Sequence, residues 1–435
     1  MLSHEDNKRF NEVEPGSAFH EMAKRYWLPY LRSEALEANG APRKVELLGL
    51  KFVTFRAGNG DVGFFDEQCS HRGASLVLAR SGDNALTCIF HGWKFDVNGE
   101  CLETPSESNP KFCASVKAKA YPVRDAGGVL WVYLGPGQPP VFPEWEFLQL
   151  PPEHRRARVG YTDSNWSHNL ETLLDSSHIG LLHQAPVKAG ISWAVTQLRG
   201  VNAPKLSIRD TPYGFQAYSR REGADDDQVN LRVTEYIAPF CVSNGSSRKE
   251  ESRLLFMIPI NNRRTAFWRI EWDMEHTQEW WKKKAEELGS YGIKFIDMDD
   301  FFVHSIDRTK EDFGQDRAAM AQGHWSGFKD LRAEDLAVAE STPLIDRSKE
   351  HLGASDLVIA KLRQYFLKGL SEFENGGPAL GLGPQGDGSG IPYTDLRGSA
   401  ETIPKSVDQV SHHNQTLREE RRLRRDAFHA ALAGK

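Results

Sequence analysis

Cys69-Ser-His71, then sixteen residues, then Cys88-Ile-Phe-His91 constrains this chain more than any other feature. Each half pairs one thiol with one imidazole. Zinc accepts both ligand types, but structural zinc sites usually open with two thiolates about two to four residues apart. One cysteine and one histidine in each half instead suit a two-iron, two-sulfide cluster, with two thiolates on one iron and two neutral imidazoles on the other. Such a cluster is less negative than a four-thiolate one, so its potential is expected to be comparatively high. Gly73 and Gly92 follow the two pairs, and a missing side chain there lets backbone N–H groups approach the cluster sulfurs. The expected arrangement is two facing loops, as in a Rieske-type centre.

A chain of 435 residues exceeds the usual size of one domain, so two domains or one elaborated domain are expected. Lys and Arg number 54 and Asp and Glu 60, a formal charge of −6 with no long block of one sign. That balance argues against a nucleic-acid partner. The first residues, Met-Leu-Ser-His-Glu-Asp, are acidic where a signal peptide would be basic and then apolar, and no apolar run approaches membrane-spanning length. A cytoplasmic location is therefore expected. Of five cysteines, two are assigned to the cluster. Cys101, Cys113 and Cys241 remain, an odd number that speaks against a disulfide framework and for buried small hydrophobes.

The fold class expected is α+β. Short strands with Asn59-Gly60 and Asn98-Gly99 turns run from about Val45 to Leu134, with Val45 to Phe55 read as one strand, and the Gly135–Pro140 stretch closes this all-β unit. A helical stretch over about 160–183 carries Asn165, Asp175, His178 and His183, and the loop from Ala185 to Gly200 is a candidate cover for a pocket. Alternating strands between Lys205 and Asp273 predict an antiparallel sheet, and helices near Glu279–Leu288, Ala333–Ser341 and Asp356–Leu370 are expected on one of its faces, a helix-grip-like arrangement. The boundaries read as 1–40, a helical segment packing on the catalytic part; 41–140, the cluster domain; and 141–435, the catalytic domain. A charged helix is expected over Leu417–Leu432, its basic run Arg418–Arg425 forming a solvated, salt-bridged face.

His178 and His183 stand five residues apart beside Gly180, which can bend a helix so that both imidazoles face one point. On its own this spacing serves structural histidines as readily as a metal. A cluster that delivers single electrons, however, makes a second iron with open positions a natural destination. Asp175, one helical turn before His178, can accept a hydrogen bond from that imidazole and orient it. Lys205 and Arg209, four apart on a strand and so on one face, could supply positive charge to a ligand.

These motifs resemble the catalytic α-subunits of Rieske non-haem iron aromatic-ring-hydroxylating oxygenases. The likeness lies in Cys-Ser-His-Arg-Gly-Ala-Ser-Leu from Cys69, in Cys-Ile-Phe-His-Gly-Trp-Lys-Phe-Asp from Cys88, and in Asn165-Trp166 with Glu171, Asp175, His178 and His183. The stretches Arg25-Tyr26-Trp27, Asp335 to Ser341 and Ile345 to Gly353 look closest to the phthalate dioxygenase-like branch, which oxidises aromatic carboxylates.

The resemblance implies a mononuclear Fe(II) held by His178, His183 and a carboxylate. Asp335 is the choice, because Glu340 follows it five residues later as an acid does in the family, whereas Asp312 is followed by Arg317. Asp335 could equally favour the positive end of a helix without binding a metal. It further implies that Asp175 bonds to the cluster histidine, His91 by position, of a neighbouring subunit. A homotrimer or stacked trimers would follow. Asn165 resembles an asparagine near the iron but could also cap the helix after it. Arg232 resembles a carboxylate-binding arginine, for which its bidentate fork is suited. Electrons would come from NAD(P)H through a separate flavin iron–sulfur reductase. Consistent with that, no Gly-x-Gly-x-x-Gly follows a strand and opens a helix. The expected reaction is conversion of a phthalate-, isophthalate-, chlorobenzoate- or phenoxybenzoate-like acid to a cis-diol. An O-demethylating monooxygenase shares both metals, a pure electron carrier would need only the cluster, and a zinc-dependent interaction module would hold neither.

Overall fold

The computed structural model describes residues 2–109, 111–184, 203–245, 251–287, 300–342 and 347–434. The chain divides into two compact units, one of Glu12–Phe142 with Ile258–Asn262, the other of Met1–Asn11, Pro143–Met257 and Arg263–Lys435.

The first unit is largely antiparallel β, with a short helix at Ala18–Ala23. Its strands are β1 (Trp27–Arg32), β2 (Arg43–Leu47), β3 (Leu50–Arg56), β4 (Val62–Asp66), β5 (Arg80–Gly82), β6 (Ala85–Thr87), β7 (Lys94–Asp96), β8 (Cys101–Glu103), β9 (Val123–Ala126) and β10 (Val129–Tyr133). They form three sheets in the orders β1-β10-β9, β2-β3-β4 and β5-β6-β7-β8. The stretch Val45–Phe55 is two strands rather than one. Leu48 and Gly49 take φ of 54° and 76°, the left-handed pair that reverses the chain between β2 and β3. Val53, Phe55, Phe65, Leu76, Leu86 and Phe95 fill one core with Cys69 and Cys88, so the two candidate cluster loops grow from a packed base.

Segment 1–40 does not behave as one helical piece. The His4–Asn11 helix belongs to the second unit, whereas Trp27–Arg32 pairs with β10 in the first. The aromatic and branched residues of Trp-Leu-Pro-Tyr-Leu suit a pleated edge better than a helix.

The second unit holds β11 (Arg155–Thr162), β12 (Lys205–Thr211), β13 (Gly214–Glu222), β14 (Gln228–Ile237), β15 (Cys241–Asn244), β16 (Glu251–Pro259), β17 (Thr265–Asp273) and β18 (Ser399–Pro404). The sheet order is β11-β17-β16-β15-β14-β13-β12, with β18 beside β14. The helix Trp166–Leu174 packs against both Leu331–Ser341 and Leu357–Glu374, and between them the three touch β11, β12 and β15. Trp166 and Phe366, both fully buried, meet at a tilt with centroids 5.4 Å apart and Phe10 against each. Burying each such ring stabilises by about 1.5 to 3 kcal/mol. The Leu417–Ala433 helix is only partly a solvated face, because Arg421 donates to the carbonyls of Arg397 and Gly398. Ala185 to Gly200, the candidate cover, lies outside the described residues, as do Ile345 and Leu288. Among the described residues no helix is long and apolar enough to cross a membrane.

Candidate functional site

In the first unit the two loops repeat one backbone plan. Cys69 N–H donates to Ala74 and Cys88 N–H to Trp93, while Gly73 and Gly92 donate back to the carbonyls of Cys69 and Cys88, all within 2.8 to 2.9 Å. Both glycines have positive φ, 73° and 76°, so each loop closes through a conformation that a side chain would strain. The thiols are buried, and burial foremost pushes Cys69 up to about 11, with the neighbouring Cys88 adding to the rise. Two thiols forced together in an apolar base are poorly placed as thiols and well placed as ligands. The imidazoles of His71 and His91 face each other with ring centroids 4.5 Å apart, and His71 lies flat on Trp93 at 4.3 Å and 12°. Both Nδ1 atoms are buried with no hydrogen-bond partner among the described residues. Two buried thiols and two imidazoles with unsatisfied Nδ1 atoms are donors of the right kind, which fits an iron–sulfur cluster held by them.

The second site is built in the other unit. The helix Trp166–Leu174 stops at Asp175, whose backbone turns extended (φ −72°, ψ 117°), so 160–183 is not one continuous helix. Asp175 accepts from the N–H groups of Ser177 and His178 and starts the short Ile179–Leu182 helix. Its Oδ2 lies 3.1 Å from His178 Nδ1, the contact expected of it, reached through a turn rather than along a helix. Burial opposes its ionisation, but hydrogen bonds from His178 and Ser177 prevail and hold its pKa below the ordinary value.

His183 closes the short helix. Its Nδ1 lies 2.7 Å from Glu334, itself fully buried and bonded to Ser326. Asp335 stands in the second turn of Leu331–Ser341, a helix capped by Asp330. Asp335 Oδ1 sits 3.1 Å from His183 Nε2 and 3.8 Å from His178 Nε2, yet it is buried without an aligned hydrogen bond. One ligand atom each from His178, His183 and Asp335 fall within 4.8 Å of one another. Two imidazole nitrogens and one carboxylate oxygen on one side of a point, open on the other, match the facial arrangement of non-haem Fe(II). Burial works against a charged His183, but Asp335 and Glu334 outweigh it and raise it to about 9. The pocket is built to hold positive charge where the metal would go. Asp312, the alternative carboxylate, accepts instead from Gly314 N–H in a separate loop.

The cavity beside this triad measures about 190 Å³ and is walled by apolar Ile179, Phe267, Phe301 and Phe302 and by arginines 158, 232, 253 and 269. Arg158 and Arg269 are directly opposed across β11 and β17, a like-charge pair that is costly in a sheet unless balanced. Glu271 balances part of it, taking hydrogen bonds from Arg156, Arg158 and Arg269. Arg253 is fixed by Asn244 and the Gly245 carbonyl. Arg232 makes no hydrogen bond or ion pair among the described residues, and burial, then Arg253 and Arg221, weigh against its charge. With Arg332 the lining holds five arginines against the carboxylates of Asp175 and Asp335, and Glu271 pairs with Arg158 and Arg269, so the wall stays short of negative charge.

Lys205 and Arg209 do share a face, but of the edge strand β12, where both are exposed and Arg209 reaches Gln216. They do not line the cavity; Arg253 and Arg269 supply the additional positive charge. Asn165 does not line it either. Its side chain caps the Trp166–Leu174 helix through Ser167 N–H and donates to the Asn11 carbonyl, so the capping alternative holds. Glu334 was not foreseen, although adjacent acids in a helix point about 100° apart and can serve different faces of one neighbour.

Two family models match the chain: the Rieske [2Fe-2S] domain over residues 26–122 and the LigXa C-terminal domain like family over 132–428. The phthalate 4,5-dioxygenase oxygenase subunit of Pseudomonas putida is 33% identical over 88% of this chain and 89% of its own length. The 3-chlorobenzoate-3,4-dioxygenase oxygenase subunit of Comamonas testosteroni is 30% identical over 96% and 99%. The 5,5'-dehydrodivanillate O-demethylase oxygenase subunit of Sphingobium sp. is 28% identical over 86% and 82%. Among solved structures, an oxygenase–ferredoxin complex of carbazole 1,9a-dioxygenase aligns with a TM-score of 0.57 at 19% identity, covering 89% of this chain and 95% of that one.

Proposed function

This chain belongs to the Rieske non-haem iron oxygenases, as an oxygenase subunit of the aromatic-acid dioxygenase and demethylase group, and on that premise we propose that it hydroxylates a single-ring aromatic carboxylate to a cis-diol. The observation that carries the proposal is the Arg232 guanidinium, without a hydrogen bond or ion pair among the described residues, in a cavity wall with an excess of arginines beside His178, His183 and Asp335. A carboxylate would complete that wall, accepting a bidentate pair from Arg232 with Arg253 and Arg269 adding to the field. A cavity of about 190 Å³ suits one substituted ring, since a 150 Å³ pocket accepts benzene.

In this reading Cys69, His71, Cys88 and His91 hold the 2Fe-2S cluster, and His178, His183 and Asp335 hold the mononuclear iron. When bound, the two centres together supply electrons and activated dioxygen. The chain's own residues do the rest. Asp175 and Glu334 fix the two imidazoles through Nδ1 so that both Nε2 atoms face the same point. Phe267, Phe301 and Phe302 hold the ring, and Arg232 sets which edge of it faces the triad. Asp175, with a quarter of its side chain accessible, can also meet a cluster histidine of a neighbouring protomer. Ile89 and Phe90, exposed beside His91, offer an apolar rim for such a contact, and a homotrimer would close it. An NAD(P)H-dependent flavin iron–sulfur reductase would be the electron source. The glycine-rich stretch 376–390 leads to the short Tyr393–Asp395 turn, not to a nucleotide-binding helix.

Turnover of substituted benzoates with a generic reductase, under labelled dioxygen, tests this. Two labelled atoms in the product are expected. One labelled atom with loss of a methyl group would instead favour O-demethylation, the reaction named for the Sphingobium relative. Arg232→Gln should lower kcat/KM on carboxylated rings by about ten- to a hundredfold. Unchanged kinetics on every acid would remove the assignment.

A further inference from the structure

Cys101 and Cys113 depart from the expectation of buried, unrelated thiols. Both are only partly buried, and their Sγ atoms lie 2.7 Å apart, whereas Cys241 is buried in the other unit. Cys101 heads β8 and Cys113 heads the Cys113–Ser115 turn. Backbone interactions hold the two segments together at their base: Glu100 bridges to Lys117, Ala118 N–H donates to the Gly99 carbonyl, and the Glu100 and Lys117 side chains form an ion pair. The thiols therefore meet through the fold and not through chance rotamers of mobile loops. Phe112, which precedes Cys113, stands edge-on to Trp93 at 5.7 Å, and Trp93 is the ring on which His71 lies.

We propose that Cys101 and Cys113 form a reversible dithiol–disulfide pair, oxidised by hydrogen peroxide, that clamps the Phe112 turn against the cluster loop. One thiol takes an oxygen atom from peroxide, giving a sulfenic acid and water. The second thiol then attacks that sulfur, forming the S–S bond and releasing a second water. Two thiols are oxidised by two electrons, and one peroxide is reduced. An external dithiol reverses the bond by exchange. In the holoenzyme Cys69 and Cys88 are held by the cluster, which leaves Cys101 and Cys113 as the free thiols of its unit.

The test is titration of the iron-loaded enzyme with hydrogen peroxide, alkylation, and peptide mapping by mass, with visible absorbance reporting the cluster. Two alkylatable thiols per chain should be lost while the absorbance persists. A Cys101–Cys113 linked peptide, lighter than its two parts by two hydrogens, should appear and vanish on dithiothreitol treatment. In Cys113→Ser the linked peptide should be absent. The oxidised wild type should then bleach under chelator at least about twofold more slowly than oxidised C113S, because closing the loop restrains its opening. Full alkylation of both cysteines after peroxide treatment, or bleaching of the cluster with a Cys69–Cys88 link, would overturn the pair. Equal bleaching rates would overturn the clamp.

Discussion

His183 is gripped from both sides, by Glu334 at Nδ1 and by Asp335 at Nε2, and without metal the grip favours a proton. A ligand must be neutral, so iron competes with that proton. Because His183 titrates near 9 in the metal-free chain, Fe(II) affinity should fall about tenfold for each pH unit below that value. Glu334→Gln should move this dependence to lower pH and weaken iron binding by about ten- to a hundredfold. Equilibrium titration with Fe(II) between neutral and alkaline pH checks both. A flat profile would mean that no proton competes with iron at His183 over this range. Residue type and spacing singled out His178, His183 and Asp175, and the family resemblance singled out Asp335; the structure brings all four side by side. Glu334 stayed hidden beside Asp335, and Arg253 and Arg269 lie on strands whose mixed charge reads equally well as a solvated face.

The helix Leu331–Ser341 presents Glu334 and Asp335, and its first turn is held by the Asp330 side chain, which accepts from Arg332 and Ala333 N–H. Asp330→Ala should cost about 1 kcal/mol, read as a lower midpoint in denaturant unfolding, and should loosen iron before it loosens the cluster. A variant that kept full stability would show the cap to be idle. Elements were legible where periodicity was strong, as in the helices at 331–341, 357–374 and 417–433 and the strands of the large sheet. They were misread where a turn carried no glycine or asparagine at its first left-handed position, as at Leu48, or where a polar side chain ended a helix early, as at Asp175. Alternation also placed Lys205 and Arg209 on one face correctly. It could not say that β12 is an edge strand, since strand order depends on pairings distant in sequence.

The molecule as a whole keeps two iron sites in two separately packed units. Each site includes buried polar atoms, His71 and His91 Nδ1 in one and Asp335 Oδ1 in the other, that no described residue satisfies with a hydrogen bond. The proposed division of labour makes Asp175 the hinge between them, orienting His178 within its own chain and meeting a cluster histidine of the next. Asp175→Asn should therefore retain both metals and lose almost all turnover, measured by product formation with a reductase; near-normal turnover would contradict the bridge. The central claim is that one chain carries both a cluster and a lone iron. Iron and acid-labile sulfide per chain, measured on reconstituted wild type and on Asp335→Ala, test it most directly. About three irons and two sulfides are expected in the wild type, and about two irons with the sulfide unchanged in the variant. Only two irons in the wild type, or three retained in Asp335→Ala, would contradict the account.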